Sequence, residues 1–109
     1  MATKSITFTA ENLSLVWPIQ ATYTTSIPFN TLNTDMASHT MAANDVFTVN
    51  TTGAIDNTTT TIIITNNTSY TPDLTAFHQI GVYDNTYTYT YLEFFRKRGL
   101  YFVSIINVN

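Results

Sequence analysis

Between Thr86 and Phe95 the side chains alternate: Tyr87, Tyr89 and Tyr91 share one parity, and Thr86, Thr88, Thr90 and Leu92 share the other. A repeat of two is the signature of an extended strand, because successive side chains point to opposite faces of a sheet. The same repeat recurs in Ile6–Ala10, where Ile6, Phe8 and Ala10 oppose Thr7 and Thr9, while Asp45–Asn50 and the apolar Leu100–Val108 read as further strands. Leu13–Trp17 is a further apolar patch stopped by Pro18, and Ile19–Thr25 is a Thr-rich strand. Ile27-Pro28-Phe29-Asn30 contains a proline, which confines it to an edge or a strand start. Thr58–Thr65 carries the run Ile62-Ile63-Ile64, which predicts burial on both faces or a central place in a packed sandwich. His78–Tyr83 reads as another strand.

Turn signals separate these segments: Thr51-Thr52-Gly53, the loop Asn66–Asp73 with Pro72, Asp84-Asn85, and Arg96-Lys97-Arg98-Gly99. The last predicts a hairpin with Gly99 at positive φ. Only Asp35–Ala43 tolerates a helix, with Asp35 as its cap, and a structured loop is the equal alternative. Eight or nine short strands predict an all-β antiparallel sandwich, a jelly roll, in a single domain over 1–109.

Hydrophobic residues make up 44% of the 109, enough for a core, while only 10% are charged. That is well below the roughly 25% usual in soluble domains, so Thr, Asn and Ser must build the polar surface. A net charge of −3 and a pI near 4.9 argue against nucleic-acid binding, which needs a basic field. The basic cluster Arg96-Lys97-Arg98 reads as a solvated turn. Cysteine is absent, so stability must come from packing or from oligomerisation. No segment reaches the about 18 apolar residues of a membrane span. The N-terminal residues lack the apolar run of a signal peptide, so synthesis in a cytoplasm is expected.

Catalytic signatures are missing. Gly53, Gly81 and Gly99 are isolated, so no phosphate loop exists. His39 reads as a residue of a polar loop, and His78 as a hydrogen-bonded strand residue beside Phe77 and Ile80. Glu11, Asp35, Asp45, Asp56, Asp73, Asp84 and Glu93 lack the spacing of a calcium loop. The expectation is a non-enzyme with no cofactor and no metal site.

The tyrosines are the candidate interaction residues. Tyr87, Tyr89 and Tyr91 each offer an apolar body with a polar tip. Three readings stand: half-buried packing against neighbouring strands, an interface between subunits, or a stacking platform for sugar rings. Trp17 shares this ambiguity, with Leu15, Val16 and Pro18 favouring core or interface burial.

The order of landmarks resembles a family. Ile6-Thr7-Phe8-Thr9-Ala10, Ile27-Pro28-Phe29-Asn30-Thr31 and the stretch Asp45–Gly53 are similar to successive strands in the globular head of complement's first component. The tumour necrosis factor superfamily shares that head fold, and spore-surface and phage fibre heads carry similar patterns. The likeness covers roughly the first half of the chain. It implies a trimeric jelly roll that binds through outer loops without catalysis. The resulting expectation is a self-associating structural or adhesive protein on the surface of a virion or extracellular particle: a virion, fibre-head or appendage subunit. Its partners would be copies of itself and a host-surface glycan or protein. A carbohydrate-binding module is the alternative, and a small jelly-roll enzyme ranks last, since two histidines are fewer than cupin-type metal sites use.

Overall fold

The computed structural model describes residues 25–30 and 35–109. Trp17 and the segments Ile6–Ala10, Leu13–Trp17 and most of Ile19–Thr25 lie outside them. Seven strands are present among the described residues: β1 (Ser26–Pro28), β2 (Asp35–Thr40), β3 (Thr48–Asn50), β4 (Thr59–Thr65), β5 (His78–Ile80), β6 (Tyr89–Lys97) and β7 (Leu100–Val108). They form an all-β sandwich of a five-stranded sheet, ordered β2-β4-β6-β7-β5, and a two-stranded sheet, β1-β3.

The expected antiparallel pairing holds for the long strands: β4 with β6, and β6 with β7. The short strands join in parallel: β1 with β3, β2 with β4, and β5 with β7. A parallel pair needs a crossover connection. Between β2 and β4 the chain supplies it by visiting the opposite sheet as β3, so one crossover serves both layers.

The core lies between the layers. Ile27, Phe29 and Phe47 from the small-sheet side meet Ile62, Ile64, Leu92, Phe94, Val103 and Ile105 from the large sheet, with Leu74 and Phe77 closing one side. Phe94 organises the aromatic packing, with Phe77 at 4.8 Å and Phe47 stacked at 5.9 Å between ring centroids. Phe29 makes an edge contact with Tyr101 at 4.9 Å. Thr60 is fully buried, and its hydroxyl donates to the Pro28 carbonyl across the layers at 3.1 Å. That bond removes the desolvation cost of an unpaired buried hydroxyl.

Several expectations change. Asp35–Ala43 holds no helix: Asp35–Thr40 is β2, on the edge of the large sheet. Six residues of parallel pairing with β4 outweigh the weak helical preference of Ala and Met, and buried Ala37 fits close to its neighbour. His39 is therefore a strand residue; its Nε2 meets Asp45 Oδ2 at 2.7 Å and its ring packs edge-on to Phe47. Strand β5 ends at Ile80 because Gly81 adopts φ +91°. A Cβ there would lie 2.7 Å from the Ile105 carbonyl oxygen, so only glycine lets the chain cross β7 this closely.

The basic cluster splits. Arg98 and Gly99, at φ +53° and +76°, form the two-residue hairpin turn that right-twisted strands favour. Arg96 instead belongs to β6. It pairs with Asp56 at 2.8 Å and lies over the Tyr101 ring. The same Asp56 oxygen accepts from the Gly99 N–H at 3.1 Å and so clamps the turn.

Candidate interaction face

The outer face of the five-stranded sheet is built by the partners of the core residues. In β6, Thr90, Leu92 and Phe94 point inward and are buried, so Tyr89, Tyr91, Glu93, Phe95 and Lys97 point outward. Register then carries this face across the sheet. Tyr91 stands between Ile63 of β4 and Ile106 of β7, and Phe95 between Thr59 and Phe102. Phe95 and Phe102 stack with centroids 5.1 Å apart, and His78 of β5 packs on Phe102 at 5.3 Å. His78 is exposed here as part of this outward row.

Among the described residues the face mixes apolar rings and aliphatic side chains with Thr59, Thr61, Glu93 and Ser104. Tyr89 and Tyr91 keep 43% and 41% of their surface accessible, Ile106 55% and Ile80 51%. Ile63, the middle residue of the isoleucine run, is half-buried among them, whereas Ile62 and Ile64 are core. The run thus sits one place in from the sheet edge with a single face sealed. Charge on the face is sparse and balanced: Glu93 opposes Ser104 near the middle, and Lys97 lies at the hairpin end.

Tyr87 lies just before the strand: β6 begins at Tyr89, and Thr86–Thr88 follow the turn at Asp84 with the Thr88 carbonyl accepting from the Asn66 N–H, so the strand itself carries two of the three expected rungs, Tyr89 and Tyr91. Asp84 holds that turn by accepting from the Thr86 N–H and hydroxyl at 2.9 and 2.6 Å. Alternation within β6 reaches Phe95, while Phe102, Ile106 and Ile80 come from other strands and stay unseen by it. Their grouping depends on register between strands.

On the inner side a polar network closes one end of the sandwich. Tyr83 hydroxyl donates to Asn66 Oδ1. Asn66 Nδ2 donates to Thr90 Oγ1, and Thr90 in turn to Asn107 Oδ1, each at 2.9 Å. Asn107 Nδ2 donates to the Val82 carbonyl at 2.8 Å and so fixes the crossing strap after Gly81. Every member of this network has a partner, which is what makes a buried polar cluster rigid.

Among the described residues no three His, Asp or Glu side chains gather as a metal site would require, and no helix is long and apolar enough to cross a membrane. No protein-family model, curated protein or solved structure matches the chain.

Proposed function

We propose that the protein is a non-enzymatic structural or adhesive subunit that associates with copies of itself on the surface of a virion or extracellular particle. The supporting observation is the outer sheet face, where Tyr89, Tyr91, Ile63 and Ile106 form one apolar cluster and Phe95 and Phe102 a second, with the row Thr61–Glu93–Ser104 between them. Exposed apolar clusters mark interaction sites, and tyrosine is enriched in them. Low charge adds to the case, because identical copies repel little. The sugar-binding alternative uses the same two rings, Tyr89 and Tyr91, so one pair of measurements separates the readings. Light scattering over a concentration series is expected to show a mass above one chain. A strict monomer at the highest concentration, together with glycan-array binding that Tyr89→Ala abolishes, would replace self-association with carbohydrate recognition.

A further inference from the structure

We infer that the tip of the β6–β7 hairpin is a gated proteolytic site: a protease specific for basic residues hydrolyses the Arg98–Gly99 bond when Asp56 lets the turn go, and the cut chain stays assembled. This goes beyond self-association and does not depend on it.

Composition narrows the site first. The chain has four basic residues, Lys4, Arg96, Lys97 and Arg98. Among the described residues a basic-directed protease therefore has only the adjacent Arg96, Lys97 and Arg98 to recognise. Lys97, Arg98 and Gly99 are exposed, and exposed loop tips are where chains are preferentially nicked. Arg96 is withdrawn from the set. Its guanidinium is bound by Asp56 at 2.8 Å, its N–H donates to the Thr58 carbonyl, and its own carbonyl accepts from the Asn57 N–H. Lys97 and Arg98 form no ion pair among the described residues. Arg98–Gly99 is thus the bond at the very tip that follows an exposed basic side chain.

Backbone geometry supplies the gate. A protease cleaves a segment drawn out into an extended strand, so a closed turn is cut only from its transiently open state. Arg98 and Gly99 sit at φ +53° and +76°, opposite in sign to an extended substrate. Asp56 holds them there, because one carboxylate oxygen accepts from both the Gly99 N–H at 3.1 Å and the Arg96 guanidinium. Opening the tip breaks these two bonds to a charged group, but it releases only the last pair of the ladder, Lys97 with the half-exposed Leu100. On hydrolysis, water adds its hydroxyl oxygen to the Arg98 carbonyl carbon as the C–N bond breaks. Both water protons end on the Gly99 nitrogen, leaving a carboxylate and an ammonium. Strand β7 is not lost, since pairing from Tyr89–Val108 to Arg96–Tyr101 keeps it on β6, β5 flanks its other side, and Val103 and Ile105 are buried. The new ammonium arises where Asp56 already accepts from the Gly99 nitrogen, and charge strengthens that bond. Asp56 therefore guards the intact tip and retains the cut one.

The test is limited proteolysis of the full chain with trypsin, read by mass spectrometry. The first cut beyond Lys4 is expected between Arg98 and Gly99, at a rate that depends only weakly on urea below the unfolding transition, as a local opening requires. Asp56→Asn and Arg96→Gln each remove one side of the clamp, and circular dichroism establishes that each variant folds. Each is expected to speed the cut about tenfold, the scale of one bond to a charged group. Chymotrypsin controls for general loosening, because Phe and Tyr are spread along the chain. Its cuts within 25–109 are expected to keep the wild-type rate in both variants. Gel filtration of the nicked wild type is expected to keep the Gly99–Asn109 peptide with the rest of the chain, and urea to release it. Cleavage that begins only with global unfolding, variants cut at the wild-type rate, or loss of the peptide on nicking would each overturn the gated site. So would variants that both proteases cut equally faster, which would make Asp56 a general stabiliser.

Discussion

The two faces of the five-stranded sheet are made by the same strands, yet they meet different fates. Inward, Ile62, Ile64, Leu92, Phe94, Val103 and Ile105 are sealed by β1, β3 and their flanking loops. Outward, Ile63, Tyr89, Tyr91, Phe95, Phe102 and Ile106 have nearly the same apolar character and remain accessible to varying degrees. A half-covered sheet ordinarily alternates apolar with polar residues. Here the outer face sets Thr59, Thr61, Glu93, Lys97 and Ser104 among its apolar residues, whereas the centre of the inner face is continuously apolar. The faces therefore differ both in what covers them and in the polar residues that the outer one carries.

Adjacent residues of β6 measure that difference directly. Phe94→Ala is expected to cost about 3–5 kcal/mol, because a fully buried ring leaves a cavity beside Phe47 and Phe77. Phe95→Ala, one residue along and on the other face, is expected to cost about 1 kcal/mol or less in the monomer. Urea denaturation at low protein concentration compares them, and equal costs would abolish the distinction between sealed and open faces.

A smaller effect comes from the polar end of the inner face. Burial pushes the Tyr83 hydroxyl up to about 12, partly offset by its contact with Thr90. The unfolded tyrosine ionises near the ordinary 10.0. Folding thus favours the neutral ring, and its contribution is complete below pH 10 and lost as pH rises from 10 towards 12. The loss is expected to be about 1 kcal/mol once solvent screening of this half-buried group is allowed for. Thermal melts across that window check it, and Tyr83→Phe should remove the alkaline component. Asp73 and Asp84 act at the opposite end of the scale. Bonds from Thr75 and Thr86 hold their carboxylates below the usual range, so that contribution fades only as acid reaches them.

The parts legible in the sequence were those where one strand carries its own pattern. Leu100–Val108 is a strand over the expected residues, and Gly99 takes the expected positive φ. Alternation also placed Tyr89 and Tyr91 together. It began the strand too early, at Thr86 rather than Tyr89, because alternation of Tyr and Thr continues through a turn that Asp84 holds. Strand β2 was hidden because Met, Ala and Ser record no strand preference, and its pairing with β4 is supplied from more than twenty residues away. Arg96 looked like part of a charged turn because nothing local announces Asp56, forty residues earlier. What is local in the chain could be read there; what depends on register between strands could not.

The wiring of the sheets also sets an order of assembly. Closing a short loop costs little chain entropy, and hairpins form within about 1–10 μs. The Arg98–Gly99 turn joins the two longest strands with only two residues, so β6 and β7 can zip before anything else docks. Strand β2 cannot join until the chain has travelled to the other layer and back, which makes it a late arrival. Pulsed hydrogen exchange during refolding is expected to protect Leu92 and Val103 amides ahead of Ala37, and the reverse order would contradict a hairpin-first route.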